Sequence, residues 1–290
     1  CRKTAGRIEP AVDLTELRFS FLDEQPIDAS DGNFLGLVRG RCHGLKLLAG
    51  GWGLTVNWCF GRGSLGKAAV QDFDGKVALI TGSGAGIGRA DALLLADKGA
   101  DIVVQDFNAE TAAETADLVR AKGREAHVIA SDVADIADTQ AKIVAAEAAM
   151  GRIDILVNNA GIGADYRNTE ELDGPSFRRM VDVHVKGTFF ATQAVLPGMK
   201  ARGTGKIVNI ASNWGQRGNA FAPHYCSAKA AILGLTKAWA KEFAPWKINV
   251  NCIAPGWVNT GMSDPAVMAD VIAREVPLGR EAAPVEIAYA

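Results

Sequence analysis

From Phe73 onward the chain alternates between short apolar runs closed by glycine or a polar pair and longer alanine- and leucine-rich stretches. The runs are KVALITG, DIVVQD, AHVIASD, RIDILVNNAG, KIVNIAS and INVNCIAPG, six in all. Between them lie Gly86 to Lys98, Ala109 to Lys122, about Ile136 to Met150, the segment FRRMVDVHVKGTFFATQAVLPGMK, and a stretch that begins around Tyr225. Strands alternating with helices of about 10–15 residues predict βαβ units, hence a doubly wound parallel α/β sheet with helices on both faces. In such sheets ligands bind at the carboxyl ends of strands, where the strand order reverses.

The first 72 residues lack this texture. They hold three of the five cysteines, two of the six tryptophans and the glycine-rich run LAGGWGLTVNWCFGRGSLG, with neither helical nor strand periodicity. The stretch RGRCHGLKLLAGGWGL runs from basic to apolar, but glycines break it and it is too short to span a bilayer. Residues 1–72 are therefore expected to be a poorly ordered extension and not a targeting signal. The first methionine is Met150, so the natural start is expected to lie elsewhere.

Composition narrows the function mostly by exclusion. A net charge of −2 gives no electrostatic footprint for nucleic acid or an acidic membrane. Cysteines at 1, 42, 59, 226 and 252 show no paired spacing, and the four histidines are scattered. No metal site or disulfide framework is expected, and a reducing, cytoplasmic setting is the default.

Chemistry enters with TGSGAGIG, Thr81 to Gly88, between the first strand and the first helix. Gly82, Gly86 and Gly88 let the backbone turn tightly against a pyrophosphate, whose charge a helix N-terminus favours. Asp106 ends the second strand, 18 positions past Gly88, where a carboxylate accepts from both adenosine ribose hydroxyls and repels a 2′-phosphate. Phe107 and Asn108 follow it, with no basic partner, so the expected cofactor is NAD and not NADP.

These motifs, with NNAG at Asn158–Gly161, Ser212, the YxxxK pair Tyr225 and Lys229, and PGWVNT at Pro255–Thr260, resemble the short-chain dehydrogenase/reductase family over residues 74–290. The resemblance implies a Rossmann-like domain. It implies cofactor contacts from Ser83 and Ile87 in the turn, from Asp132 and Val133 beside the adenine, and from Asn158, Ala160 and Gly161. Pro255, Gly256, Val258 and Thr260 are expected near the nicotinamide amide. Lys229 is implied to hold the nicotinamide ribose as well.

On a helix, positions four apart are neighbours, so the Lys229 ammonium can approach the Tyr225 phenol. An acid/base tyrosine near neutrality needs its pKa lowered by about three units, about 4 kcal/mol, and the ammonium plus an oxidised nicotinamide are expected to supply that. Tyr225 then takes the hydroxyl proton as hydride leaves, while Ser212 stabilises the charge on the same oxygen. Where many members carry asparagine, this chain has His184, expected to relay protons. His43, His127 and His224 read as structural or solvated.

The chain stops at PVEIAYA, inside a late helix, without the family's last strand and tail. A truncated domain is expected, with the sixth strand left as an edge, a homodimer, and a tetramer in doubt. Trp214, Phe221, Trp257 and Met262 are expected near the pocket, which points to an apolar or cyclic alcohol or ketone. Arg178, Arg179 and Arg217 would suit an acyl-carrier or coenzyme A substrate. The leading expectation is an NAD-dependent secondary-alcohol dehydrogenase or ketone reductase. The alternatives are a 3-oxoacyl-thioester reductase and, from another class, a catalytically inactive NAD-binding protein.

Overall fold

The computed structural model describes residues 19–21, 26–27, 45–49, 52–56, 73–261 and 265–290. The chain divides into two compact units, residues 1–70 and 71–290. In the first, strands β1 (Phe19–Phe21), β2 (Pro26–Ile27), β3 (Leu45–Ala49) and β4 (Trp52–Val56) pair antiparallel in the order β2-β1-β3-β4. The sequence pattern predicts no element there. The expectation of a poorly ordered extension falls mostly on residues outside the described set.

The second unit carries the predicted alternation. Its strands are β5 (Val77–Thr81), β6 (Asp101–Asp106), β7 (Ala126–Ala130), β8 (Ile155–Asn158), β9 (Gly205–Ile210) and β10 (Ile248–Ile253). All pair parallel in the order β10-β9-β8-β5-β6-β7. The order reverses between β5 and β8, and a crevice opens there at the strand ends. Among the described residues β10 pairs on one side only, the edge that the sequence leads one to expect.

Side-chain alternation along β5 divides the core in two. Val77 and Leu79 face one side, where Val195, Met199, Trp239 and Phe243 pack. Ala78 and Ile80 face the other, against Ala92, Ala96, Ala112 and Ala116. Those alanines lie on α1 (Gly86–Asp97) and α2 (Ala109–Ala121). Small side chains let these helices lie close to the sheet, which holds the α1 N-terminus against the end of β5. The Asn108 side chain caps α2, accepting from the Glu110 and Thr111 amides at 2.9 and 3.2 Å. Helix α3 (Ile136–Met150) starts at an Asp135 cap and ends on Gly151 at φ 76°.

The segment predicted as one helix through FRRM to GMK is broken in the middle. Helix α4 (Gly174–Val181) passes through a π-turn at Asp182–Lys186 into α5 (Gly187–Arg202). The widened turn carries His184, and π-bulges recur at functional sites. Four helices complete the unit: α6 (Trp214–Arg217), α7 (Pro223–Glu242), α8 (Pro265–Glu275) and α9 (Pro284–Ala288).

Candidate active site

A cleft of about 570 Å³ runs along the carboxyl ends of β5, β6, β8 and β9, within the size range of small-molecule and cofactor sites. Gly82, Gly86, Ile87, Asp106, Asp132, Val133, Ala160, Gly161, His184, Ser212, Tyr225, Lys229, Pro255, Gly256, Val258 and Thr260 all line it. These residues come from both halves of the sequence. Parallel strands with crossover helices bring them to one edge.

Three of the predicted cofactor contacts do not line the cleft. Ser83 is fully buried, and its hydroxyl donates to the Ile80 carbonyl at 2.9 Å, holding the turn onto β5. Gly88 lies under the turn: a Cβ there would meet the Gly82 carbonyl and lie 2.5 Å from Asn159 Nδ2. Its glycine is required for packing and does not face the cleft. The Asn158 side chain turns into the core and donates to Thr192 Oγ1 and Asn209 Oδ1 at 3.0 and 2.8 Å. The next residue, Asn159, takes the place in the cleft wall. Its amide reaches the Thr81 and Gly82 carbonyls, both at 3.0 Å.

The Asp106 end of the cleft is pinned by hydrogen bonds within the chain. Asp106 Oδ2 accepts from the Gly84 amide at 2.8 Å, and Oδ1 from the Asn108 amide at 3.0 Å. Each carboxylate oxygen keeps accepting capacity for a ligand hydroxyl. A Cβ on Gly84 would lie 2.8 Å from Asp106 Oδ2 and press on Thr111 Oγ1, so only glycine permits this approach. Gln105 accepts from the Gly82 amide at 3.2 Å and donates to the Ser131 carbonyl at 2.6 Å. Sequence reasoning missed Gly84, Gln105 and Asn159. Gln105 had a visible signal, a polar residue inside the apolar run DIVVQD. Farther along, Asp132 Oδ2 accepts from Arg179 at 2.7 Å and Oδ1 from the Ala134 amide at 3.0 Å; these contacts hold its carboxyl below the usual value despite burial.

The other end gathers Ser212, Tyr225, Lys229 and His184. Lys229 is 4 % exposed, donates to the Ile210 carbonyl at 2.8 Å, and sits 5.7 Å from the centre of the Tyr225 ring. Burial pushes its ammonium down to about 8. Tyr225 departs from expectation. Burial pushes the phenol above its ordinary value, and the hydrogen bond from Ser212 draws it back only in part. The chain's own residues do not lower it. His184 Nε2 lies 3.1 Å from both the amide and the carbonyl of Ile162, and the ring meets Tyr225 edge-on at 5.5 Å. Burial, then the nearby Lys229 charge, holds this histidine well below its usual pKa, so it is neutral at pH 7.

Aromatic rings wall this end. Trp214 meets Tyr166, Tyr225 and Trp257 edge-on, at 6.0, 5.8 and 5.2 Å. Phe221 is not part of that wall; it is 58 % exposed, with φ 60°, ahead of α7. Met262 lies outside the described residues. Arg217 pairs with Glu275 at 3.1 Å and Arg179 with Asp132, so neither guanidinium is uncommitted; Arg178 is exposed and does not line the cleft. His224, expected to be structural or solvated, is packed inside the fold. It is 1 % exposed. His127 lies on β7, half-buried, and His43 lies outside the described residues. No group of three or more metal-ligating side chains occurs among the described residues, and no described helix is long and apolar enough to cross a membrane.

Comparison with known proteins places this cleft in context. The family model described as short chain dehydrogenase matches residues 76–269. The chain is 38 % identical over 222 residues to cyclohexanol dehydrogenase of Acinetobacter sp. (strain SE19), covering 77 % of this chain and 88 % of that one. It is 37 % identical over 223 residues to the 3-oxoacyl-[acyl-carrier-protein] reductase FabG of Thermotoga maritima, covering 74 % and 88 %. Among solved structures, NAD+-bound xylitol dehydrogenase superposes with a TM-score of 0.72 at 33 % identity, over 76 % of this chain and 91 % of that one. A gluconate 5-dehydrogenase from Burkholderia cenocepacia, in complex with NADP and tartrate, also gives 0.72, at 37 % identity over 77 % and 89 %.

Proposed function

The chain belongs to the short-chain dehydrogenase family, and from that premise we propose that it transfers hydride between NAD and a cyclic secondary alcohol or its ketone, with Tyr225 as the acid/base. The observation that carries this reading is the meeting of Tyr225, Lys229 and Ser212 at one end of a cleft whose other end presents Asp106. Gly82 and Gly86 line the cleft at positive φ, 64° and 55°, and keep the backbone of the turn bare there, so the residues present fit a dinucleotide. Asp106 would hold the adenosine ribose, and it disfavours a 2′-phosphate by charge repulsion. Asp132 would face the adenine, and Lys229 the second ribose.

Oxidised nicotinamide, when bound, supplies the hydride acceptor and a positive charge beside the phenol. That charge is what the chain lacks, because burial alone moves Tyr225 the wrong way for a base. Ser212 donates to the substrate oxygen and stabilises its developing charge. Tyr225 accepts the hydroxyl proton in oxidation and returns it in reduction. Lys229 keeps its ammonium through neutral pH, since its pKa near 8 lies above 7. The rings of Tyr166, Trp214 and Trp257, set edge-to-face, offer apolar surface to a ring substrate.

The similarity to a 3-oxoacyl-[acyl-carrier-protein] reductase favours a thioester reductase as the second reading. The commitment of Arg179 and Arg217 to carboxylates weighs against it. A panel of cyclic alcohols, linear alcohols and 3-oxoacyl thioesters, read by nicotinamide absorbance with NAD and with NADP, separates the two. The expected outcome is the highest kcat/KM on a cyclic alcohol, with NAD binding at least about tenfold tighter than NADP, about 1.4 kcal/mol. Thioester reduction as the fastest reaction, or equal affinities for the two cofactors, overturns the respective half of the reading. Cofactor binding with no turnover on any of them identifies an inactive NAD-binding protein.

A further inference from the structure

We infer that the indole N–H of Trp257 selects among ring substrates by donating to a second oxygen on the alcohol. The favoured substrate is then an oxygenated ring and not a plain hydrocarbon one. This rests on the reading of the cleft as the site of a cyclic secondary alcohol.

The wall of the substrate end contains an unmet donor. Among the described residues, two that line the cleft carry a buried polar side-chain atom without a hydrogen-bond partner: His184 at Nδ1 and Trp257 at Nε1. His184 packs edge-on against the Tyr225 ring, beside the reacting oxygen. Trp257 packs instead against Trp214, at 5.2 Å, whose own indole can only donate. A buried indole N–H ordinarily finds an acceptor, so an unpaired one in a cleft wall calls for a ligand or an ordered water.

Its position relative to the reacting oxygen follows from a shared ring. Trp214 meets Tyr225 at 5.8 Å and Trp257 at 5.2 Å, both edge-on, so the phenol and the second indole flank one side chain. All three line the cleft together with Ser212. A substrate whose reacting oxygen lies between Tyr225 and Ser212 thus has Trp257 one aromatic ring away, a span that a carbocycle can bridge. The backbone at Trp257 is fixed as well. Its carbonyl accepts from the Ala282 amide at 3.0 Å, the Asn259 amide donates to the Ala282 carbonyl at 2.9 Å, and Val258 pairs with Ala282 in a parallel bridge. The donor is held in place before a ligand arrives, so binding does not have to order it.

The indole also fixes the chemical class. It donates, does not accept and carries no charge, so its partner is a neutral acceptor on the ring: a carbonyl, an ether or a second hydroxyl oxygen. An apolar pocket separates similar shapes only weakly, whereas a buried donor left unpaired penalises the analogue that lacks the acceptor. Tyr166 lines the same wall and meets Trp214 at 6.0 Å, but it is exposed, so water competes for its hydroxyl. The redox step is unchanged. The carbinol C–H pair leaves as hydride to NAD, the hydroxyl proton passes to Tyr225, and the Trp257 N–H bond stays intact.

Initial rates of oxidation with NAD, read by nicotinamide absorbance, test this on two alcohols of one shape. They are 4-hydroxycyclohexanone and 4-methylenecyclohexanol, in which a methylene group stands where the carbonyl oxygen is. The full wild-type chain is expected to show a kcat/KM at least about tenfold higher on the ketone-bearing alcohol. Trp257→Phe and Trp257→Leu each remove the N–H. In both, that ratio is expected to fall to within about twofold of one, whatever loss the two substrates share from the altered wall. Tyr166→Phe is expected to keep the wild-type ratio. A wild-type ratio near one overturns the inference, because water or nothing then meets the indole. A ratio retained in either Trp257 variant, or lost in Tyr166→Phe, also overturns it, since another group is then the donor. Oxidation of plain cyclohexanol but of neither paired alcohol overturns the inference and leaves the functional reading standing. A wild-type chain that oxidises none of the three overturns the reading of a cyclic-alcohol dehydrogenase itself.

Discussion

The two ends of the cleft are built on opposite principles. Around Asp106, the polar groups that shape the wall are paired within the chain: Gly84 and Asn108 to the carboxylate, Gln105 to the turn and to Ser131, Asn159 to Thr81 and Gly82. Around Tyr225, polar groups are buried with their needs unmet or their pKa values displaced, as at Lys229, Tyr225 and His184 Nδ1. A satisfied wall holds one shape and recognises a ligand by fit. An unsatisfied one keeps protons mobile at a cost in stability, which is what acid/base chemistry requires.

The largest expected effect breaks the contrast at Lys229. Lys229→Met should lower turnover at least about a thousandfold, within the upper range for acid/base machinery. It should also weaken NAD binding, since the lysine is assigned to the ribose. Yet the variant should melt higher, because removing a buried ammonium lifts a desolvation cost. A folded pKa near 8 against 10.5 unfolded means the folded state releases its proton first, so that cost is full below pH 8 and gone above about 10.5. Thermal melts at pH 7 and calorimetric NAD titration check both halves. A variant that melts lower while keeping turnover would invert the comparison.

Next comes an unpaired carboxyl that does not line the cleft. Asp91 on α1 is buried, its Oδ2 has no protein partner, and burial raises its carboxyl to about 7. A carboxyl raised in the fold contributes stability that is full below its unfolded value near 4 and is lost as pH rises through 7. Asp91→Asn should match the wild type near pH 4 and exceed it by up to about 4 kcal/mol at pH 8. Denaturant melts at the two pH values provide the check. An equal difference at both would mean that Asp91 does not titrate there. A smaller effect is expected from Gly84→Ala, which forces Asp106 and Thr111 to give way. It should weaken NAD binding about tenfold, about 1.4 kcal/mol, while leaving the aromatic wall untouched. Unchanged affinity would show that the cradle does not touch the ligand.

The contrast also explains what could be read in advance. The six strands and most of the helices were legible because buried parallel strands are apolar on both faces, and the crossover helices between them leave a clear spacing. The glycine turn, Asp106, Ser212, Tyr225 and Lys229 were legible because each motif sits at a strand end or on one helix face. The π-turn at Asp182–Lys186 was not, since DVHVK reads as ordinary helix and only packing of the His184 ring over Gly161 shows where it widens. Nor were the inward turn of Asn158 and the burial of His224, because neighbours in sequence exchange roles through contacts made by distant strands and loops. The rise in the Tyr225 pKa was missed for a similar reason. The helix spacing shows how near the lysine lies but not how thoroughly both groups are shut off from water.

The central claim is that Tyr225 moves the proton and does not hold the nucleotide. Tyr225→Phe removes one oxygen and keeps the ring against Trp214 and His184. Turnover on the best cyclic alcohol and the dissociation constant for NAD, measured on the same preparation, test this directly. The account predicts a fall in turnover of at least about a hundredfold with NAD affinity within about twofold of the wild type. Near-normal turnover, or a loss of turnover that tracks an equal loss of NAD affinity, would contradict it.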